Sequence, residues 1–195
     1  MTQCTQTSFC FATPSRREVV ARFDGGTITT DAGGLLLHRT EQKTGILRQF
    51  ARCFRDYRQP ERIDHSVPEL VRQRVYGLAL GYEDLNDHDR LRGDPLLAML
   101  SGKADVEGRK RRRKRDRGKA GAGKSTLNRL ELTPPEADEK SRYKKIVLDT
   151  AAVDDTLVNL YIQRQRRQPR QIVLDLDATD DRLHGHQEGR FFHGY

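Results

Sequence analysis

The stretch QIVLDLDATDDRLHGHQEGRFFHGY, residues 171–195, places acids inside a β-branched, apolar run. Residues 172–176 read as a buried strand on composition. Side chains alternate faces along a strand, so Asp175 and Asp177 would share one face. Asp180 and Asp181 follow within one turn. Carboxylates crowded together oppose one another's ionisation, and a divalent cation between the oxygens relieves that conflict. The pattern therefore points to a hard-metal site at the end of a strand.

Around this stretch lies a chain of 195 residues, 35% hydrophobic and 33% charged, with a net charge of +8. That composition allows a modest core with much of the rest in water. The charge is concentrated: residues 109–117 hold eight basic side chains and one acid, a net +7, and the rest of the chain is nearly balanced. Such a block suits a polyanion, nucleic acid being the commonest. Cys4, Cys10 and Cys53 show no CxxC spacing and no framework, which fits a reducing cytoplasm. No run has the length of a membrane helix, and the N-terminus has no charged start followed by an apolar core.

Residues 1–15 are rich in Thr, Ser and Gln and are expected to be without fixed structure. Residues 19–23 suggest a short strand, turned by Asp24-Gly25-Gly26 into 27–29 as a small hairpin. Asp31 is placed to cap a helix carrying Leu35, Leu36 and Leu37. A second helix after Gly45 would face inward with Ile46, Leu47, Phe50, Ala51 and Phe54. The third has the strongest start signal: Ser66 and Glu69 at capping-box spacing, with Pro68 in the first turn. Its expected buried face is Val67, Leu70, Val71, Val75, Leu78 and Ala79, with Arg72 and Arg74 projecting off it and Gly81 closing it. Asp94-Pro95 starts a short helix to Leu100. These helices fit a DNA-reading helix-turn-helix, a bundle with solvated arginines, or a dimerisation surface, and the sequence leaves all three open.

Residues 103–124 read as a basic linker that repels itself and orders only on a polyanion, or else as a solvated tail. Its end, GKAGAGKS at 118–125, matches the phosphate-loop pattern. That motif needs a buried strand before the loop, and the charged residues 109–117 cannot supply one. Ser125 instead reads as the cap of a helix over 126–132, with Leu127 and Leu130 inward. Thr133-Pro134-Pro135 ends it. A longer helix is expected over 144–167, with Ile146, Thr150, Val153, Leu157 and Leu160 at helical spacing.

Four blocks in order carry a resemblance: FDGGTITTDAGGLLL (23–37), RQRVYGLALGYEDLNDHDRLRGDPLL (72–97), KSTLNRLE (124–131) and IVLDLDATDDRLHGHQEGRFFHGY (172–195). Together they resemble a DDE-type insertion-sequence transposase of group 1, the insertion sequence 1380 family. The resemblance implies a fold of class α+β: a mostly helical N-terminal region with a small hairpin, then the first strands of an RNase H-like catalytic domain. The implied layout is 1–22 without structure, 23–102 helical and DNA-binding, 103–124 basic linker, 125–168 helical, and 169–195 the start of the DDE domain. It implies cleavage and strand transfer at element ends by three acids holding two magnesium ions. Asp177, which precedes Ala178-Thr179, is the first choice for the first acid and metal ligand, and Asp175 the second. Asp180 and Asp181 would shape the turn, and His184, Gly185 and Gln187 fall in the family block with no assigned chemistry.

DNA, as the terminal inverted repeats of the element, is the implied partner, with a second copy or an intact transposase as a possible co-assembly. Arg109, Lys110, Arg111, Arg112, Arg113, Lys114, Arg115 and Arg117, with Arg72 and Arg74, are the candidate DNA contacts. The family's other two acids would lie beyond residue 195, so the chain is expected to be an N-terminal portion, catalytically incomplete alone. The alternative is a remnant that only binds element ends or interferes with an intact transposase.

Overall fold

The computed structural model describes residues 8–11, 19–22, 31–165, 167 and 169–176. Helices dominate, with two small antiparallel sheets, so the chain is mixed α/β. The first sheet pairs β1 (Ser8–Phe11) with β2 (Val19–Arg22). The partner of β2 is thus an upstream strand, inside the stretch expected to lack structure. The expected downstream arm, 27–29, lies outside the described residues.

Helix α1 (Gly34–Thr44) follows a 3-10 turn at Asp31–Gly33. Asp31 does not cap it; its carboxylate accepts from the Tyr82 hydroxyl at 3.0 and 3.1 Å. Gly45 ends α1 in the left-handed region, at φ 63°. Helix α2 (Ile46–Phe50) is short and gives way through a 3-10 turn to β3 (Phe54–Asp56). Phe54 is therefore a strand residue, and its helical spacing was coincidental.

The centre of the molecule is α3 (Val67–Ala79). Its capping box forms as expected: Glu69 accepts from the Ser66 N–H at 2.8 Å, and the Ser66 side chain accepts from the backbone at Glu69. Val67, Leu70 and Val71 enter one apolar cluster with Ala51, Ala122, Leu127, Leu130 and Ile146. Tyr76 enters a second with Leu35, Leu97, Ala98, Leu100, Val106 and Ala120. Leu78 and Ala79, expected inside, are exposed. The buried face has rotated onto Gln73, Arg74 and Gly77, because polar partners wait there.

After α4 (His88–Leu91), α5 (Pro95–Leu100) is capped by Asp94, which accepts from Leu96 and Leu97 N–H at 2.7 and 3.0 Å. Helix α6 (Lys124–Glu131) begins two residues earlier than expected, with Gly123 rather than Ser125 at its N-cap. Leu127 and Leu130 are buried as expected.

The expected helix over 144–167 is two elements. Strand β4 (Ile146–Leu148) pairs with β3, Phe54 opposite Leu148 and Asp56 opposite Ile146. Asp149 then caps α7 (Thr150–Arg164), accepting from the Ala152 N–H at 3.1 Å. Cys53 holds α7 through its thiol, 3.3 Å from the Ala152 carbonyl and from the Thr156 hydroxyl. No residue of α7 is buried among the described residues, and Leu157, Val158, Tyr161 and Ile162 are exposed. Residues 171–176 form no strand and are exposed, against the expected buried strand. A strand is defined by its partner, and no described strand lies beside them. The two apolar clusters also run across the boundaries expected after residues 102 and 124, so the parts between 31 and 148 share one interior.

Candidate nucleic-acid interface

The basic segment is a closed loop built onto this interior. Val106 is 7% exposed, Ala120 3% and Ala122 0%, so both ends are apolar anchors. Gly118 N–H donates to the Gly108 carbonyl at 3.2 Å, and Gly121 N–H to the Arg92 carbonyl at 2.9 Å. Gly108 has φ 66°, and a Cβ there would come within 2.7 Å of Ala120 N and Lys119 C. A side chain would thus be barred from the base of the loop on both counts. Self-repulsion was expected to keep the segment without structure. Instead its charges are carried outward by a loop whose ends are held by neutral residues.

Gln73 fixes the far end. Its Nε2 donates to the Ala122 carbonyl at 2.7 Å, and its Oε1 accepts from the Ala122 N–H at 2.8 Å. The same Nε2 lies 3.2 Å from His88 Nδ1. These bonds also dispose of the phosphate-loop pattern. No strand leads directly into it, the preceding element being a 3-10 turn at Lys114–Asp116, and N–H groups of Gly121, Ala122 and Lys124 already donate to Arg92, Gln73 and Asp89.

The loop forms one wall of a cleft of about 510 Å³. Arg111, Arg112, Arg113 and Arg115 come from the loop; Arg58, Arg62, Arg92 and Arg129 come from three other places in the chain. With Lys119 that makes nine cations, against only Asp64 and Asp116. The lining acids neutralise little, Asp116 lying 3.9 Å from Arg92, while Asp56, outside the lining, pairs with Arg58 at 2.7 Å and offsets one of the nine charges. A site with this excess favours a ligand with several negative charges in a row.

His65 stands in this field, 4% exposed. Burial, reinforced by the charges of Lys103, Arg111, Arg58 and Arg92, pushes its pKa down to about 2, so the ring is neutral. Its Nε2 accepts from Arg111 Nη1 at 2.9 Å, which puts the proton on Nδ1. His65 Nδ1 and Arg111 Nε have no hydrogen-bond partner among the described residues. Lys103, behind the wall, pairs with Glu69 at 2.7 Å; burial lowers its pKa, and the Glu69 contact opposes that shift.

The structure divides the sequence candidates. Arg111, Arg112, Arg113 and Arg115 face the cleft, while Arg109, Lys110, Lys114 and Arg117 are exposed elsewhere on the loop. Arg72 borders a separate small cavity with His38 and Arg48. Arg74 does not project into solvent: it is 9% exposed, pairs with Glu131, and donates to the Tyr82 and Glu83 carbonyls at 3.1 and 2.8 Å. Arg58, Arg62, Arg92 and Arg129 were missed because they lie outside the dense basic run and are gathered beside it only by folding.

Asp175 is exposed, and Asp177, Asp180, Asp181, His184, Gly185 and Gln187 lie outside the described residues. Among the described residues no three Asp, Glu, His or Cys side chains come together. Asp175 alone offers a single carboxylate, which leaves magnesium most of its water. The described residues therefore do not form a metal centre. Among the described residues no helix is long and apolar enough to cross a membrane.

No curated protein and no solved structure matches the chain. The family described as transposase DDE domain group 1 matches residues 11–195. That family implies transposase activity and DNA binding, and its members typically use a divalent metal. With nearly the whole length matched, the chain belongs to the transposase DDE domain group 1 family.

Proposed function

We propose that this chain serves DNA cleavage and strand transfer at the ends of its own insertion sequence, in the manner of the insertion sequence 1380 family, and that the cleft between the basic loop and α6 receives the phosphate backbone. The observation that carries the second part is the gathering of eight arginines and Lys119 around one opening. Guanidinium groups match phosphate oxygens in a fork geometry that ammonium groups lack. A duplex laid along them releases counterions, which makes binding steeply salt-dependent. The catalytic part of the reading assigns Asp177, with Asp175 as the second choice, as the first acid of an RNase H-like, two-metal site using Mg2+. The terminal inverted repeats are the substrate, and the compartment is the cytoplasm.

A second reading has an observation in its favour. Among the described residues the cleft is lined from within 58–129 and not by Asp175, so the cations of the cleft are distinct from that candidate acid. On that reading the chain binds element ends, alone or assembled with an intact transposase, without cutting. The experiment is a pair of assays on terminal-repeat DNA with wild type and Asp177→Asn. Retention of binding by both, with Mg2+-dependent cleavage by wild type only, supports the enzyme reading. Binding without cleavage by either supports the second. Failure of both to retard repeat DNA in the presence of competitor removes the binding claim.

A further inference from the structure

A second cavity, of about 620 Å³, adjoins the basic cleft and shares Ser125 and Arg129 with it. Its chemistry differs. One wall is Tyr143, 56% exposed. The Arg142 guanidinium lies 4.9 Å from the centre of the tyrosine ring and that of Arg129 lies 5.6 Å from it. Another wall is Asn128 on α6, half-buried, whose side-chain amide makes no hydrogen bond among the described residues. Asn86, by contrast, is committed to Asp84 and Lys124.

We propose that this cavity takes a single unpaired nucleobase from the strand whose phosphates lie in the cleft. The proposal rests on the DNA reading of that cleft. Four features fit one another. An exposed aromatic ring and planar guanidinium groups both stack on bases regardless of sequence. A free carboxamide offers a donor and an acceptor side by side, the complement of a base edge. Arg129 stands on the partition between the two spaces, so it can hold the phosphate of the same nucleotide whose base has entered. A tyrosine kept in place merely to pack would be covered; this one is left over half exposed, with two guanidinium groups beside it.

The test uses the whole chain and three labelled duplexes of about 25 base pairs, read by fluorescence anisotropy at fixed salt. One is fully paired, one has a single unpaired adenine at its centre, and one has an abasic unit at that position. Wild type is expected to bind the unpaired-adenine duplex about tenfold tighter than the abasic one, the scale of one base stacked on an aromatic ring. Tyr143→Ala abolishes that preference and leaves affinity for the paired duplex unchanged, while Tyr143→Phe keeps the preference. Equal affinity of wild type for the adenine and abasic duplexes overturns the proposal and leaves the cleft reading standing. So does a preference that survives in Tyr143→Ala. Failure to bind any of the three duplexes overturns the cleft reading and this inference together.

Discussion

Gln73 uses both ends of its side-chain amide inside the molecule. It holds the N–H and C=O of Ala122 as a neighbouring strand would, and its Nε2 also faces His88 Nδ1. Replacement by Leu leaves those groups buried without partners, at about 1–3 kcal/mol each before relaxation. Gln73→Leu is therefore expected to cost about 3 kcal/mol or more, read as a fall in the urea midpoint, although hydropathy alone would favour the change. Gly77 is equally constrained, since a Cβ there would meet the His88 ring at 2.8 Å and that ring is fully buried. The histidines add a pH dependence. Burial, then the charge of Arg74, lowers the His88 pKa to about 4, and His65 falls to about 2 for the reasons above. Both folded values lie below the unfolded value of about 6.5, so between them the unfolded chain binds more protons. Stability is fully present above pH 6.5 and is lost as pH falls, by up to about 1.4 kcal/mol per unit for each ring. Urea titrations from pH 7 to 4.5 are expected to show this decline, less steep in His65→Gln; an identical decline in that variant would count against a buried neutral His65. None of these partners was legible in the sequence. Arg72 and Arg74 were expected to project off the apolar stripe, yet Arg74, four residues after Leu70 and three after Val71, lies on the buried face, where Glu131 pairs with it.

At the scale of elements, legibility followed locality. Helices α3 and α5 announce themselves by side chains within three residues of their starts, Ser66 with Glu69 and Asp94 with Pro95. Ser66→Ala is expected to cost about 1 kcal/mol, the usual worth of an N-cap, measurable by chemical denaturation because α3 touches both apolar clusters. Strand β4 was missed because Ile146 happens to sit four residues before Thr150 and so extends a helical spacing; the informative residue was Asp149, which caps α7 and ends the strand. Residues 172–176 were read as a strand from composition, but a ladder needs a partner and no described residue supplies one. The basic loop failed the other way. Charge density argued for no structure, while Gly108, Gly118, Ala120 and Ala122 at its base carried the closing contacts. Gly108→Val should open that base, because it forces a β-branched side chain into the left-handed region and against the Lys119 and Ala120 backbone. Limited trypsin digestion followed by mass spectrometry is expected to show faster cutting within 109–117 in this variant than in wild type. Equal rates would mean that the loop is not held at Gly108.

At the scale of the whole molecule, the sequence located half of the cleft. The run from Arg109 to Arg117 is visible as charge, and Arg111, Arg112, Arg113 and Arg115 of it line the opening. The opposing walls come from Arg58, Arg62, Arg92 and Arg129, brought together by the pairing of β3 with β4 and the packing of α6 on α3. Folding thus turns a local charge run into a concave site with cations on several sides, where a flexible tail would offer only one. The difference is measurable, since a concave site depends on its particular residues and a diffuse charge does not. The decisive measurement is the salt dependence of duplex DNA binding by fluorescence anisotropy, for wild type and two charge-matched variants. One neutralises Arg112, Arg113 and Arg115 in the cleft; the other neutralises Arg39, Lys43 and Arg52, which are exposed outside it. The cleft variant is expected to bind all duplexes more weakly and to lose up to about 2.7 from the log–log salt slope, about 0.9 for each phosphate contact. The outer variant is expected to keep a slope close to that of wild type. Equal losses in the two variants, or no duplex binding by wild type, would contradict the assignment of DNA to the cleft.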